Sequence, residues 1–122
     1  MKVKIRRELL ELLLELARSF HPNEVAGFLR EKNGIFEEVL LAPRGYFGPT
    51  SVYFDITLLP HDESVKGTFH SHPSPNPYPS EGDLTFFSKF GGVHIIVAFP
   101  YVEKSVKAFN SSGEEVEIEI ID

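Results

Sequence analysis

Residues 66–83 read Lys-Gly-Thr-Phe-His-Ser-His-Pro-Ser-Pro-Asn-Pro-Tyr-Pro-Ser-Glu-Gly-Asp. The first part, residues 66–71, has the composition of a strand running into His72. Residues two apart on a strand project to the same side, so His70 and His72 stand parallel and can share one metal ion. Taken alone, such a pair fits ordinary packing equally well. Pro73, Pro75, Pro77 and Pro79 then alternate, which stiffens the next segment as extended, polyproline-like chain. Ser80-Glu81-Gly82-Asp83 follows, ahead of Leu84, and has the form of a capping box in which Ser80 starts a helix and Asp83 reaches back to the backbone. A second reading points the Asp83 carboxylate at a metal held by His70 and His72. The stiff spacer favours that reading because it fixes where Asp83 arrives.

Working outward, the helix begun at Ser80 should stop near Gly91-Gly92, with Leu84, Phe86, Phe87 and Phe90 supplying its apolar contacts. Residues 94–99 are nearly all apolar, as expected of a strand covered on both faces. Strands at 105–109 and 115–121 follow; in the last, Val116, Ile118 and Ile120 alternate with Glu115, Glu117 and Glu119, so one face is buried and the other solvated. Toward the N-terminus, residues 5–20 are helical in pattern. Leu9, Leu13, Leu16 and Phe20 share one side, and the apolar arc covers roughly 200°, enough to touch two things. Pro22 ends this helix. Residues 24–31 and 35–42 flank Asn33-Gly34, the signature of a β-hairpin. Residues 43–49 read as loop and 52–56 as a short strand.

The 122 residues, 42% of them hydrophobic and 25% charged, suit one compact domain spanning 1–122 with a single core. The apolar stretch at 9–17 is broken by Glu11 and Glu15, which leaves neither a membrane span nor a signal segment, and the expectation is a soluble, cytoplasmic protein. The absence of cysteine removes disulfides, thiol catalysis and zinc fingers, so any transition-metal site must use His and carboxylate. Net charge is −6, and the imbalance lies in the second half, where four basic residues meet ten acidic ones from Asp62 onward. Most of that excess is the solvated face of the last strand. With Lys2, Lys4, Arg6 and Arg7 as the one basic cluster, nucleic acid is not an expected partner. The chain lacks Gln and has a single Met, a depletion sometimes seen in heat-adapted proteins.

Other metal motifs fail on the same residues. No His-Glu-x-x-His is present, which removes the helical zinc-protease arrangement, and nucleobase deaminases need cysteines after the His motif. His94 or His61 remains an alternative third ligand in a three-histidine site.

Glu24 at a strand start with Gly27 downstream, then His70-Ser71-His72-Pro73, then Ser80-x-x-Asp83, resembles the signature of the JAMM (MPN+) metalloproteases, in which a distant Glu precedes His-Ser/Thr-His-Pro and Ser-x-x-Asp. The order of elements follows that family over nearly the whole chain. The resemblance implies a single α/β domain of MPN type: a curved, mostly antiparallel sheet with the N-terminal helix on one side and the Ser80 helix on the other, a cytidine deaminase-like layout. It further implies His70, His72 and Asp83 as ligands of one zinc ion with water as the fourth, Glu24 as general base, and Ser80 as the donor to the oxyanion. The implied reaction is hydrolysis of an isopeptide bond after the C-terminal glycine of ubiquitin or a ubiquitin-like protein, with such conjugates as partners. Segments 55–66 and 91–94 are short where eukaryotic deubiquitinating members carry insertions. The chain is therefore more similar to the prokaryotic forms that act on small ubiquitin-like modifiers. A related branch releases a residue from the C-terminus of a ubiquitin-like sulfur carrier, and a non-catalytic MPN scaffold is the reading from a different class. Tyr46, Phe47 and Tyr53, beside Gly45 and Gly48, are candidates for the wall of a groove holding the modifier's tail, and the N-terminal helix is the candidate surface for a homodimer.

Overall fold

The computed structural model describes residues 1–42 and 62–122. The loop at 43–49, the strand at 52–56, His61 and the groove candidates Tyr46, Phe47 and Tyr53 lie outside the described residues.

The chain begins with a strand, β1 (Lys2–Arg6), and passes directly into α1 (Arg7–Phe20). The expected helix start at Ile5 is thus corrected. Val3 and Ile5 alternate with Lys2 and Lys4, and this two-residue period buries the apolar pair. β1 pairs parallel with β7 (Glu115–Ile121), setting Lys2 opposite Glu117 and Lys4 opposite Glu119. The basic cluster and the acidic strand face are therefore neighbours. Their exposed ion pairs, such as Lys2 with Glu117 and Glu119, contribute little stability but relieve like-charge repulsion.

α1 buries Leu9, Leu10, Leu13, Leu14 and Ala17. Phe20, expected on the buried side, is 40% exposed, as is Leu12 at 46%, so the broad apolar arc is not fully used within the described residues. The helix stops where the sequence says it must: His21, ahead of Pro22, adopts ψ 135°, which a following proline favours.

β2 (Ala26–Lys32) and β3 (Ile35–Leu41) form the hairpin. Asn33 and Gly34 both have positive φ, 53° and 80°, the two-residue geometry that matches strand twist. Gly27 is required by close packing: a Cβ there would lie 2.7 Å from the Leu40 carbonyl oxygen and 3.0 Å from the Phe69 ring. β2 also pairs with β4 (Val65–His72), which runs parallel to β5 (Val93–Ala98). Parallel neighbours need a crossover, and α2 (Glu81–Phe90) supplies it. A 3-10 turn, Glu103–Ser105, leads to β6 (Val106–Asn110), which joins β5 to β7.

Four of these pairings are antiparallel and three parallel, and β1, paired with both β3 and β7, closes the curved sheet on itself. Apolar side chains of β1, β2, β4, β5 and β6 meet α1 in one cluster, among them Ile5, Leu29, Phe69, Ile95, Val97 and Ala108. The opposite face, with Phe28, Ile96 and Phe109, packs against Phe86 and Phe87 of α2. β5 is buried along its whole length because helices cover both its faces. Leu84 of α2, expected to be an apolar contact, is 39% exposed. No helix among the described residues is long and apolar enough to cross a membrane.

Candidate metal centre

His70 and His72 lie at the end of β4, in register with Ala26 and Ala98 of the flanking strands. Phe69 turns to the α1 side, so the period of two sends both imidazoles to the α2 side. There they meet Asp83 from the first turn of α2. The His70 and His72 Nε2 atoms are 3.0 Å apart, and each lies 3.3 Å from Asp83 Oδ2. Bonds of about 2.0–2.2 Å at tetrahedral angles place neighbouring zinc ligand atoms about 3.3–3.5 Å apart. The three donors fit one zinc ion. Their side chains are only 13–14% exposed, so the cluster is shielded from most of the solvent without being sealed.

The two readings of Asp83 prove compatible. Asp83 Oδ2 accepts from the Ser80 backbone N–H at 2.9 Å, and Ser80 Oγ accepts from the Asp83 N–H at 3.1 Å. The capping box is complete, yet the same Oδ2 faces both imidazoles. A carboxylate oxygen has two lone pairs, so one can serve the cap and the other a metal. The cap thereby sets the position of the donor. Ser80 is exposed; because its oxygen only accepts in the cap, its hydroxyl hydrogen remains able to donate outward.

The His72 Nδ1–H donates to the Asn76 carbonyl at 2.9 Å, which directs the Nε2 lone pair into the cluster. This bond, and the Asn76 Oδ1 that accepts from the Tyr78 N–H, bend the proline-rich segment back on itself. It does not run out as a simple extended spacer. Burial opposes charge on His72, but the hydrogen bonds with Asp83 and Asn76 outweigh it and raise its pKa. Burial likewise opposes charge on Asp83, yet the bonds from His70 and His72 hold its carboxyl far below the usual carboxylate range. Asp83 is therefore ionised at neutral pH, as a metal ligand must be.

Glu24 lies two residues before β2, not on the strand itself, and is exposed. Its neighbour Val25 is tied to β4 twice: the Val25 N–H donates to Ser71 Oγ, and the Ser71 N–H donates to the Val25 carbonyl, both at 2.9 Å. Glu24 stands near enough that its charge adds to the raised pKa of His72. In the sequence Ser71 shows no role beyond its place between the two histidines. It is fully buried, and the two-residue period that turns it away from the histidines is the signal for a structural partner.

His94, the alternative third ligand, is excluded. It is fully buried, accepts at Nδ1 from the Thr68 hydroxyl at 2.7 Å, donates from Nε2 to the Gly91 carbonyl at 2.6 Å, and stacks on Phe87 at 4.1 Å. Neither nitrogen is available for a metal. Burial, only partly offset by the Gly91 carbonyl, lowers its pKa to about 4. The unfolded chain therefore takes up this proton first as pH falls from about 6.5 toward 4, and stability drops across that window, by on the order of 3 kcal/mol at its foot. Urea unfolding of metal-free protein tests this: the slope of stability against pH between 4 and 6.5 should flatten by about one proton in His94→Gln. An unchanged slope would show that His94 is not the titrating group.

A curved α/β sheet between two helices, with two strand histidines and a helix-start aspartate converging on one point, defines a metallohydrolase of MPN type. Comparison with known proteins agrees. Residues 6–111 match the family of prokaryotic homologs of the JAB domain. A probable metalloprotease from Haloferax volcanii is 34% identical over 98% of this chain and 80% of its own length. A JAB1/MPN domain protein from Archaeoglobus fulgidus superposes with TM-score 0.80 at 39% identity, covering 98% of each chain. A structure described as JAMM, a metalloprotease-like zinc site in the proteasome and signalosome, gives TM-score 0.78 at 40% identity over the full length of both chains. The chain belongs to the prokaryotic branch of the JAMM/MPN+ metalloprotease family.

Proposed function

We propose that this protein hydrolyses the isopeptide bond formed by the C-terminal glycine of a ubiquitin-like modifier, with His70, His72 and Asp83 holding the zinc, Glu24 as general base and Ser80 as oxyanion donor. The observation that carries the reading is the convergence of the three donor atoms within 4.8 Å beside a Glu24 segment pinned to the strand between the two histidines. The substrate class is carried over from the family resemblance. When bound, zinc supplies a Lewis acid that polarises the carbonyl and lowers the pKa of a bound water toward neutrality.

The Glu24 carboxylate takes a proton from the water as its oxygen bonds to the carbonyl carbon. The Ser80 hydroxyl donates a hydrogen bond to the carbonyl oxygen as negative charge develops there. As the carbon–nitrogen bond breaks, Glu24 returns its proton to the lysine amine, leaving a carboxylate-ended modifier and a free lysine. The test is cleavage of a panel: modifiers joined to a lysine peptide, modifiers extended by a single residue, and the modifier's C-terminal tail grafted onto an unrelated domain, each with and without chelator. Chelator-sensitive release of lysine peptide supports the isopeptidase. Trimming of the single residue alone would assign the sulfur-carrier type of peptidase, and no cleavage in any arm would leave a binding scaffold.

A further inference from the structure

Outside the metal centre, a second cluster of polar and aromatic groups borders the segment that carries Glu24. Tyr101, just beyond β5, is 2% exposed and has φ 63°, a left-handed conformation that is uncommon for a bulky residue and marks a site held by its surroundings. Its backbone is fixed at both ends: its N–H donates to the Ala98 carbonyl at 2.8 Å, and its carbonyl accepts from Arg18 Nη2 at 2.7 Å. This conformation aims the phenol at His21, whose Nδ1 lies 2.6 Å from the Tyr101 hydroxyl. The His21 ring also stacks on Phe99 at 5.2 Å. Phe99 in turn donates its N–H to the carbonyl of His72 at 3.0 Å.

Residues 21–25 are thus clamped at both ends, and both clamps originate at the ligand-bearing strand. Val25 is held by Ser71, between the two histidines. His21 is held by the 99–101 turn, which hangs from the carbonyl of His72. Glu24 lies between the clamps. Burial first, and then the charge of Glu24, raise the pKa of Tyr101, which places the carboxylate within electrostatic reach of the phenol as well as of His72.

We propose that the Tyr101–His21 hydrogen bond is a positioning device that sets where Glu24 stands relative to the metal centre. The inference rests on Glu24 being the general base. Neither residue touches substrate; they act by fixing the reach of a carboxylate whose own segment has no regular secondary structure. A base displaced by about 1 Å loses up to about 100-fold in rate.

The test is a double-mutant cycle on the conjugate cleaved fastest in the panel above. Tyr101→Phe keeps the ring and removes only the hydroxyl. His21→Phe, at an exposed position, keeps an aromatic ring for Phe99 and removes the hydrogen-bonding nitrogen. Each should lower kcat by roughly 10- to 100-fold with unchanged KM and zinc content, and the two together should lose no more than either alone. In a Glu24→Gln background, adding Tyr101→Phe should change the residual rate by less than about twofold, because no base remains to be positioned. A purely structural role predicts the same fractional loss in both backgrounds, and that result would overturn the proposal. So would full kcat in both single variants while Glu24→Gln is inactive. Full activity of Glu24→Gln would instead remove the base assignment, and this inference with it.

Discussion

Glu24→Gln should bind zinc and fold as the parent does yet lose at least about 100-fold in hydrolysis, the contribution expected of a positioned general base. Folding should survive because the segment is held by the Val25–Ser71 main-chain and hydroxyl bonds, which do not involve the Glu24 carboxylate. The side chain is exposed, so the amide meets no burial penalty. Single-turnover cleavage measured beside metal analysis and a melting curve checks the claim. A variant with parental kcat would sink the mechanism, whereas a loss of zinc would show that Glu24 acts on the metal centre instead of on the proton.

Replacement of Asp83 should separate the helix cap its oxygen makes from the metal binding proposed for it. Even an outer partner of a metal ligand is worth about 10- to 100-fold in affinity, so removing a ligand should weaken zinc binding by more than about 100-fold, with activity falling in step. Asp83→Ala should in addition destabilise the metal-free protein by at least about 1 kcal/mol, since the Ser80 N–H loses its side-chain acceptor and the contacts with His70 and His72 go with it. Asp83→Asn can still accept from the Ser80 N–H through its carbonyl oxygen. It should therefore be less destabilised than Asp83→Ala while forfeiting the anionic donor and its charge interaction with the imidazoles. Zinc titration against a chelating indicator and urea unfolding of the metal-free variants measure the two effects independently. Asp83→Ala with parental zinc affinity would leave only the cap.

His94 and Asp83 show how far a sequence motif reaches before packing is known. Both are polar residues near the same His-x-His pair, and both are chemically able to bind zinc. Spacing alone favours Asp83, but what excludes His94 is that its two nitrogens are spent on Thr68 and Gly91. Thr68 reaches His94 only when β4 pairs with β5, and the Gly91 carbonyl reaches it where the chain turns from α2 into β5. Likewise, the cap and the ligand role of Asp83 look like rivals in sequence. They are reconciled by a lone-pair direction that only the packed helix fixes.

Features that depend on near neighbours are legible along the chain: the buried stripe of α1 and its end at Pro22, the Asn33-Gly34 hairpin, the apolar run of β5, the alternation of β7, the Ser80 helix start, and the parallel histidines at 70 and 72. Dihedral preference, side-chain period and capping act over a few residues, so they can be read in a single pass. Features that depend on distant pairing emerge only from the folded chain. β1 is too short to announce itself, and it is a strand because Lys2–Arg6 meets Glu117–Ile121 at the far end of the chain. The exposure of Phe20 and Leu84, the bond from Val25 to Ser71 and the contact of His21 with Tyr101 are of the same kind. Each is a bond or a surface shared between segments that become neighbours only when the sheet closes around α1, and burial is a property of that closed shape, not of any residue within it.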